Sequence, residues 1–204
     1  MKFLRSALLL VILTAFAISA VNRNALWNDE VRLWEDIAKK SLNKARWHNN
    51  LSVIYLEKRQ IDKAMVILES AIKLHAADRI YGESGYLAAA HSNLGLAYAM
   101  KGRMKEATSE LITAIELSPD YVKARINLGN VYDELNLIDE AIREYKTAIS
   151  IDPNDAAVHQ NLGLAYLKKG LKAEAMASFE TVLRINPENE DIRKFFGSVK
   201  KGQN

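Results

Sequence analysis

The sequence predicts an all-α fold in which pairs of helices stack side by side, an α-solenoid. The segment NLGLAYAMKG, which begins at Asn93, returns as NLGLAYLKKG at Asn161, and a looser copy, NLGNVYDELN, begins halfway between them at Asn127. The period is therefore 34 residues, which is typical of arrays of short helical units that bury their apolar faces against one another. Proline, which ends helices because it lacks an N–H donor, recurs at the same interval. The chain has three prolines, all near the boundaries between copies: Pro119, Pro153 and Pro187.

The first 21 residues differ in composition from the rest of the chain. The stretch 6–21 has 16 residues, of which 13 are apolar and none is charged, and it follows Lys2 and Arg5. We expect residues 3–21 to anchor the protein as a single-pass transmembrane helix, with the remainder extracytoplasmic, because positive charges stay on the cytoplasmic side. A cleaved signal peptide is the alternative, since AFA, which ends at Ala17, supplies the small-x-small pattern of a cleavage site. The remainder would then be periplasmic or secreted.

The repeat divides the rest of the chain into four units. We predict these units at 45–78, 88–121, 122–155 and 156–189, after a linker and half-repeat helix at 22–44 and before a capping helix at 190–204. Each unit has a small residue at its eighth position, where another helix must approach closely, and a bulky residue at its twenty-fourth. These residues are Ser52, Gly95, Gly129 and Gly163, and Leu68, Leu111, Tyr145 and Phe179. Residues 79–87 interrupt the period, and the glycines Gly82 and Gly85 there suggest a loop followed by an extended helix start.

The spacing of small, aromatic and alanine positions resembles the tetratricopeptide repeat (TPR). That repeat has a large residue, Leu-Gly and Tyr in its first helix, followed by Ala, Phe, Ala and Pro. The resemblance implies a right-handed superhelix of paired helices, with a concave face lined by the first helix of each pair. Proteins of this kind hold a partner protein in the concave groove.

A second resemblance concerns the segment RNALWNDEVRLW, which begins at Arg23. It is similar to the junction between the last membrane helix and the repeats in membrane glycosyltransferases of the transmembrane-and-TPR O-mannosyltransferase type. It implies an alternative function, an accessory or substrate-recognition part of a membrane glycosyltransferase system. The multi-span catalytic portion of those enzymes has no counterpart in this sequence.

The composition and motifs favour a protein without catalytic or cofactor chemistry. A net charge of +3, with no run of five like charges, argues against a nucleic-acid partner. Cysteine is absent, and no catalytic or nucleotide-binding motif is found. His48, His91 and His159 share the fourth position of three units. Equivalent positions lie about 8–10 Å apart, whereas zinc ligands lie about 2 Å from the metal, so we predict packing roles and no metal site.

One polar row is a candidate binding site. The sixth position of all four units is asparagine: Asn50, Asn93, Asn127 and Asn161. In TPR superhelices this position points toward the concave groove, and the row resembles the asparagine ladder of the O-GlcNAc transferase superhelix. An amide can pair with both N–H and C=O groups of an extended peptide, and a unit spacing of about 10 Å matches about three extended residues. The alternative is that these amides only tie adjacent helices together.

Other predicted groove positions are chemically mixed. We predict that Asn130, Lys123 and Gln160 also contact the bound peptide, in a semi-apolar groove with amide and acidic patches. Such a surface suits an extended segment or a partner helix better than a highly charged tail. The predicted function is therefore a non-enzymatic, membrane-tethered scaffold that binds a protein partner in its concave groove and needs no cofactor.

Overall fold

The structure, a computed structural model, describes residues 32–36, 45–77 and 84–201. Regular structure in these ranges is α-helical, with nine helices that follow a short helical segment at 32–36. The helices are α1 (Ala45–Glu57), α2 (Ile61–Ala77), α3 (Ser84–Met100), α4 (Met104–Leu117), α5 (Val122–Glu134), α6 (Ile138–Ile151), α7 (Ala156–Lys169), α8 (Lys172–Ile185) and α9 (Glu190–Lys201). Helices α1 to α8 form four pairs, which we call units 1 to 4, and each unit packs against the next.

The first helices of the units make a second set of contacts. Helix α1 contacts α3, α3 contacts α5, and α5 contacts α7, in addition to the contacts within each pair. These four helices therefore lie side by side and form one continuous face of the stack. The predicted all-α array of repeats is confirmed.

The core lies inside each pair and between neighbouring units. The alanine at the twentieth position of each unit is fully buried: Ala64, Ala107, Ala141 and Ala175. The bulky residue one turn later fills the space beside the small residue of the first helix. A Cβ atom added to Gly129 would lie 2.5 Å from Cε1 of Tyr145, and one added to Gly163 would lie 2.6 Å from Cε1 of Phe179. Glycine at the eighth position thus lets the ring lie directly against the backbone.

The turn inside each unit uses one residue with positive φ. In units 2 and 4 this residue is glycine, Gly102 with φ 73° and Gly170 with φ 83°. In unit 3 it is Asn136, with φ 59°, and in unit 1 it is Arg59, with φ 57°. Left-handed backbone suits glycine and asparagine, whereas an arginine there is strained. The four residues share the fifteenth position of their units.

Both ends of the described stack are covered by aromatic contacts. At the start, the rings of Trp34 and Trp47 lie 5.7 Å apart, so the segment at 32–36 packs on unit 1. At the other end Ile192 of α9 is buried, and the ring of Phe195 meets Phe179 edge-on at 5.2 Å. The interruption before unit 2 adds a helix extension, since α3 has 17 residues whereas α5 has 13. Residues 78–83 lie outside the described residues.

The predicted single-pass membrane localisation is contradicted. Within the described ranges no helix is both long enough and apolar enough to span a bilayer. The longest of them, α2 and α3, have 17 residues each, whereas a spanning helix needs about 20 mainly apolar residues. We therefore correct that prediction and assign no membrane location. The segment 3–21 on which the prediction of an anchor or signal peptide rested lies outside the described residues.

Candidate functional site

A groove runs across the face formed by the first helices of units 1 to 3. It consists of two adjoining depressions of about 480 Å³ and 410 Å³, which share Arg59, Leu96, Met100 and Asn127. We call the two together the central groove. Its lining residues are Val53, Leu56, Glu57, Arg59, Asn93, Leu96, Ala99, Met100, Lys123, Ile126, Asn127, Asn130, Val131 and Glu134. Helix α3 lies in the middle, between α1 and α5.

The structure brings together some of the predicted site residues and not others. Asn93, Asn127, Asn130 and Lys123 line the central groove. The other three predicted residues, Asn50, Asn161 and Gln160, are half-buried and are not among its lining residues. The binding role of all seven residues stays a prediction.

The floor of the central groove is mainly apolar. Leu56, in unit 1, is buried, while Leu96, Met100 and Ile126 are partly exposed. Val53, at the edge, keeps 37% of its surface exposed. An apolar floor with a few polar groups at its margins is the usual composition of a protein site that holds a ligand.

Four charged side chains surround this floor. Arg59, Lys123 and Glu57 line the first depression, and Glu134 lines the second together with Arg59. All four are exposed, and none has an ion-pair partner among the residues that the structure describes. Their charges are therefore not neutralised within the described chain.

The asparagine row links each unit to the one before it. Asn93 donates through Nδ2 to Oδ1 of Asn49 at 2.6 Å, and Asn127 donates to Oγ of Ser92 at 3.4 Å. The tie that the sequence left as an alternative is thus observed. The side-chain oxygens of Asn93 and Asn127 accept no hydrogen bond from any described residue, so each remains an acceptor at the groove.

Asn130 has the opposite character, because its oxygen is already occupied. Nδ2 of Asn161 donates to Oδ1 of Asn130 at 3.0 Å, and the hydroxyl of Tyr145 donates to the same oxygen at 2.7 Å. Burial, with a smaller effect of the Asp133 carboxylate, raises the pKa of Tyr145, so this hydroxyl remains a donor at any physiological pH. Asn130 therefore offers the groove only its N–H donors.

Two groove residues, Arg59 and Val131, were missed by the sequence analysis. Arg59 lies in the turn after α1, outside the first-helix positions from which the groove was predicted. A comparison of the four units could have drawn attention to Arg59, since it shares the fifteenth position with Gly102, Asn136 and Gly170. That position identifies the turn, but the curvature of the stack decides which turn side chains reach the groove.

Two of the three aligned histidines have different hydrogen-bond partners. Nδ1 of His91 lies 2.7 Å from Oε2 of Glu110, and Nε2 of His159 lies 2.9 Å from the carbonyl oxygen of Pro153. His48 is buried in α1. Over the described ranges, no group of three or more His, Cys, Asp or Glu side chains is arranged to hold a metal ion.

Comparison with known families identifies the repeat. A family model described as tetratricopeptide repeat matches residues 45–78, 80–121 and 156–189, and one described as TPR repeat matches residues 134–170. These matches cover more than half of the chain. No curated protein sequence matches it significantly.

Solved structures of TPR proteins resemble this chain over most of its length. A crystal structure of MamA is 27% identical, with a TM-score of 0.64, over 83% of this chain and 94% of that one. YrrB, described as a TPR protein with an unusual peptide-binding site, is 18% identical over 90% of this chain and 89% of that one, with a TM-score of 0.61. PilF of Pseudomonas aeruginosa is 23% identical over 72% of this chain and 64% of that one, with a TM-score of 0.64. The last two likenesses bear on the fold alone.

Proposed function

Because the chain belongs to the tetratricopeptide repeat family, we propose that it is a non-enzymatic scaffold that binds an extended segment of a partner protein in the central groove. The observation that carries this proposal is an open groove across three units, with an apolar floor and side-chain acceptors at its margin. TPR proteins bind peptide or protein partners through this kind of surface.

The asparagine acceptors favour an extended partner over a helical one. The oxygens of Asn93 and Asn127 lie one unit apart, about 10 Å, which equals about three residues of extended chain. An extended segment has free backbone N–H groups at that interval, whereas the N–H groups of a helix are used internally. Peptide binding would use the side-chain oxygens of these asparagines, whereas the ties between units use their Nδ2 atoms. The two roles are therefore compatible.

The alternative role beside a membrane glycosyltransferase stays a prediction. The segment that resembles the O-mannosyltransferase junction begins at Arg23, and only its residues 32–34 fall in the described ranges. Nothing in the comparisons shows that junction. The groove supports a binding function without specifying such a system.

Site-specific crosslinking in the native cell tests the proposal. A benzophenone amino acid in place of Val53, at the groove edge, is expected to capture a partner protein. The same amino acid in place of Val66, which lies on α2 and is 62% exposed, serves as the matched control outside the groove. Capture at position 53 should be lost when Ile126→Asp places a charge on the apolar floor. Equal capture at both positions, or capture that Ile126→Asp leaves unchanged, would contradict the proposal.

A further inference from the structure

We propose that Arg59 and Lys123 select partner segments that carry an aspartate or glutamate next to apolar side chains. This inference rests on the proposed function and adds the chemistry of the bound segment. Both cations line the same depression of the central groove, one from the turn of unit 1 and one from the start of α5. A segment bound in that depression would meet both of them.

The two cations are available for a ligand. Lys101, Lys168 and Arg125, on the same first helices or at their ends, are each paired with a carboxylate of the chain. Arg59 and Lys123 have no such partner among the described residues. Glu57 lines the same depression, which leaves an excess of one positive charge there.

The backbone conformation of Arg59 indicates that an arginine at this position has a functional role. Its φ of 57° falls in the left-handed region, where units 2 and 4 have glycine and unit 3 has asparagine. The turn holds it there, because Arg59 N donates to Leu56 O at 3.0 Å and Gln60 N donates to Tyr55 O at 2.8 Å. Strained residues of this kind persist where the surrounding structure holds them, and they concentrate at binding and catalytic sites, where they have a functional use. A charged side chain at the groove is such a use.

The surroundings define the rest of the ligand. Leu96, Met100 and Ile126 line the same depression as the two cations, so residues that flank the carboxylate must be apolar to be buried there. The guanidinium of Arg59 can bind a carboxylate with two parallel hydrogen bonds, whereas Lys123 contributes a single charge. We therefore expect Arg59 to contribute more to the preference than Lys123.

Selection from a phage-displayed library of random decapeptides on the full 204-residue chain tests this inference. The enriched peptides should contain an acidic residue beside Leu, Ile, Val, Met or Phe. Those peptides, made synthetically, should bind Arg59→Gly and Lys123→Gln about five-fold more weakly, the strength of an exposed ion pair. Binding to Arg59→Lys should fall less, and the affinity for the wild type should decline with added salt.

The control variant is Asn136→Gly. It makes the same kind of turn change in unit 3, at φ 59°, without altering charge, and Asn136 does not line the central groove. Peptide affinity should be unchanged in this variant, which separates loss of the Arg59 charge from a change in turn flexibility. A thermal melt of each variant confirms that it is folded.

Failure of the charge inference and failure of the proposed function would give different results. If peptides are enriched without an acidic preference, and Ile126→Asp abolishes their binding, the charge inference is overturned and the scaffold function stands. If no peptide is enriched on the wild type over Ile126→Asp, both the inference and the proposed function are overturned. Equal affinity of acidic peptides for the wild type and Arg59→Gly also overturns the inference.

Discussion

The hydroxyl of Tyr145 donates a hydrogen bond of 2.7 Å to the side-chain oxygen of Asn130. The ring lies between the helices of unit 3, against Gly129, and its hydroxyl reaches the groove face of α5. The same oxygen accepts from Asn161 of α7. One amide therefore connects both helices of unit 3 and the first helix of unit 4, and rigidity of the groove wall depends on the core ring behind it.

Replacement of Tyr145 by phenylalanine should destabilise the protein by about 1 kcal/mol, because it removes one hydrogen bond and leaves the ring in place. Urea denaturation measures the change. Tyr132→Phe is the control, since the Tyr132 hydroxyl makes no hydrogen bond to a side chain or backbone group that the structure describes. If the two variants unfold at the same urea concentration, the Tyr145–Asn130 bond does not contribute to stability.

Alanine at Gly129 should be more harmful than its helix propensity suggests. The new Cβ would meet the Tyr145 ring at 2.5 Å, so the ring must move, at a cost of about 1–3 kcal/mol. Gly85→Ala is the matched control, because Gly85 is also helical and has nothing within 4 Å of the added atom. That control should stabilise the protein by up to about 1 kcal/mol. Thermal melts that move in the same direction for both variants would contradict the close-packing account.

The repeat made much of this architecture predictable. The eighth position was expected to be small because every aligned unit has Ser or Gly there, and the structure shows the ring of the twenty-fourth position against it at Gly129 and Gly163. The hydrogen-bond partners of the asparagine row were not predictable. They sit at the fifth position in Asn49 and Ser92 but at the ninth in Asn130. Which partner is reached depends on shifts between neighbouring units that a period cannot encode.

The repeat made it possible to predict which helices line the groove, but not every residue that lines it. Nearly all of its lining residues come from the first helices, at positions that the repeat identifies. The exceptions, Arg59 and Val131, depend on how far each unit rotates relative to the next. Because the rotation follows from packing of whole side-chain sets rather than from any one residue, a single sequence leaves it open.

At the equivalent turns of units 1 and 4, introducing a glycine and removing one should have opposite effects on the stability of the protein. Arg59→Gly should stabilise the protein by about 0.5–1 kcal/mol, because relief of left-handed strain exceeds the entropy that glycine adds to the unfolded chain. Gly170→Ala should destabilise it by about 1 kcal/mol, since alanine would adopt the left-handed conformation that glycine has at φ 83°. Urea denaturation of both variants gives the two signs. A loss of stability in Arg59→Gly would mean that the arginine side chain makes a stabilising contact in the folded protein.

The inter-unit ties should differ in strength along the row. Asn93→Ala should cost about 1–3 kcal/mol, because it leaves the oxygen of Asn49, a residue only 9% exposed, without its donor. Asn127→Ala should cost less, about 0.5–1 kcal/mol, since its bond is 3.4 Å long and the hydroxyl of Ser92 can rotate toward another partner. Native-state hydrogen exchange of α1 and α3 locates the effect. Equal costs would indicate that the amides act mainly through packing.

Stability should decline at high pH through Tyr55. Burial, together with the Glu35 carboxylate that accepts its hydroxyl at 2.6 Å, raises the pKa of Tyr55 from 10.0 to about 12. Between these values the unfolded chain has lost the phenolic proton while the folded chain retains it. The folded state then binds more protons, so the free energy of unfolding falls as the pH rises from 10 to about 12, and this contribution is complete below pH 10. Denaturation midpoints measured across this range should fall less steeply in Tyr55→Phe than in the wild type.

The control variant Glu35→Gln keeps an acceptor but removes the negative charge. Its denaturation midpoint should fall with pH at a slope between those of the wild type and Tyr55→Phe. Other tyrosines with raised pKa values contribute equally to all three proteins, so identical slopes would show that Tyr55 is not the group responsible.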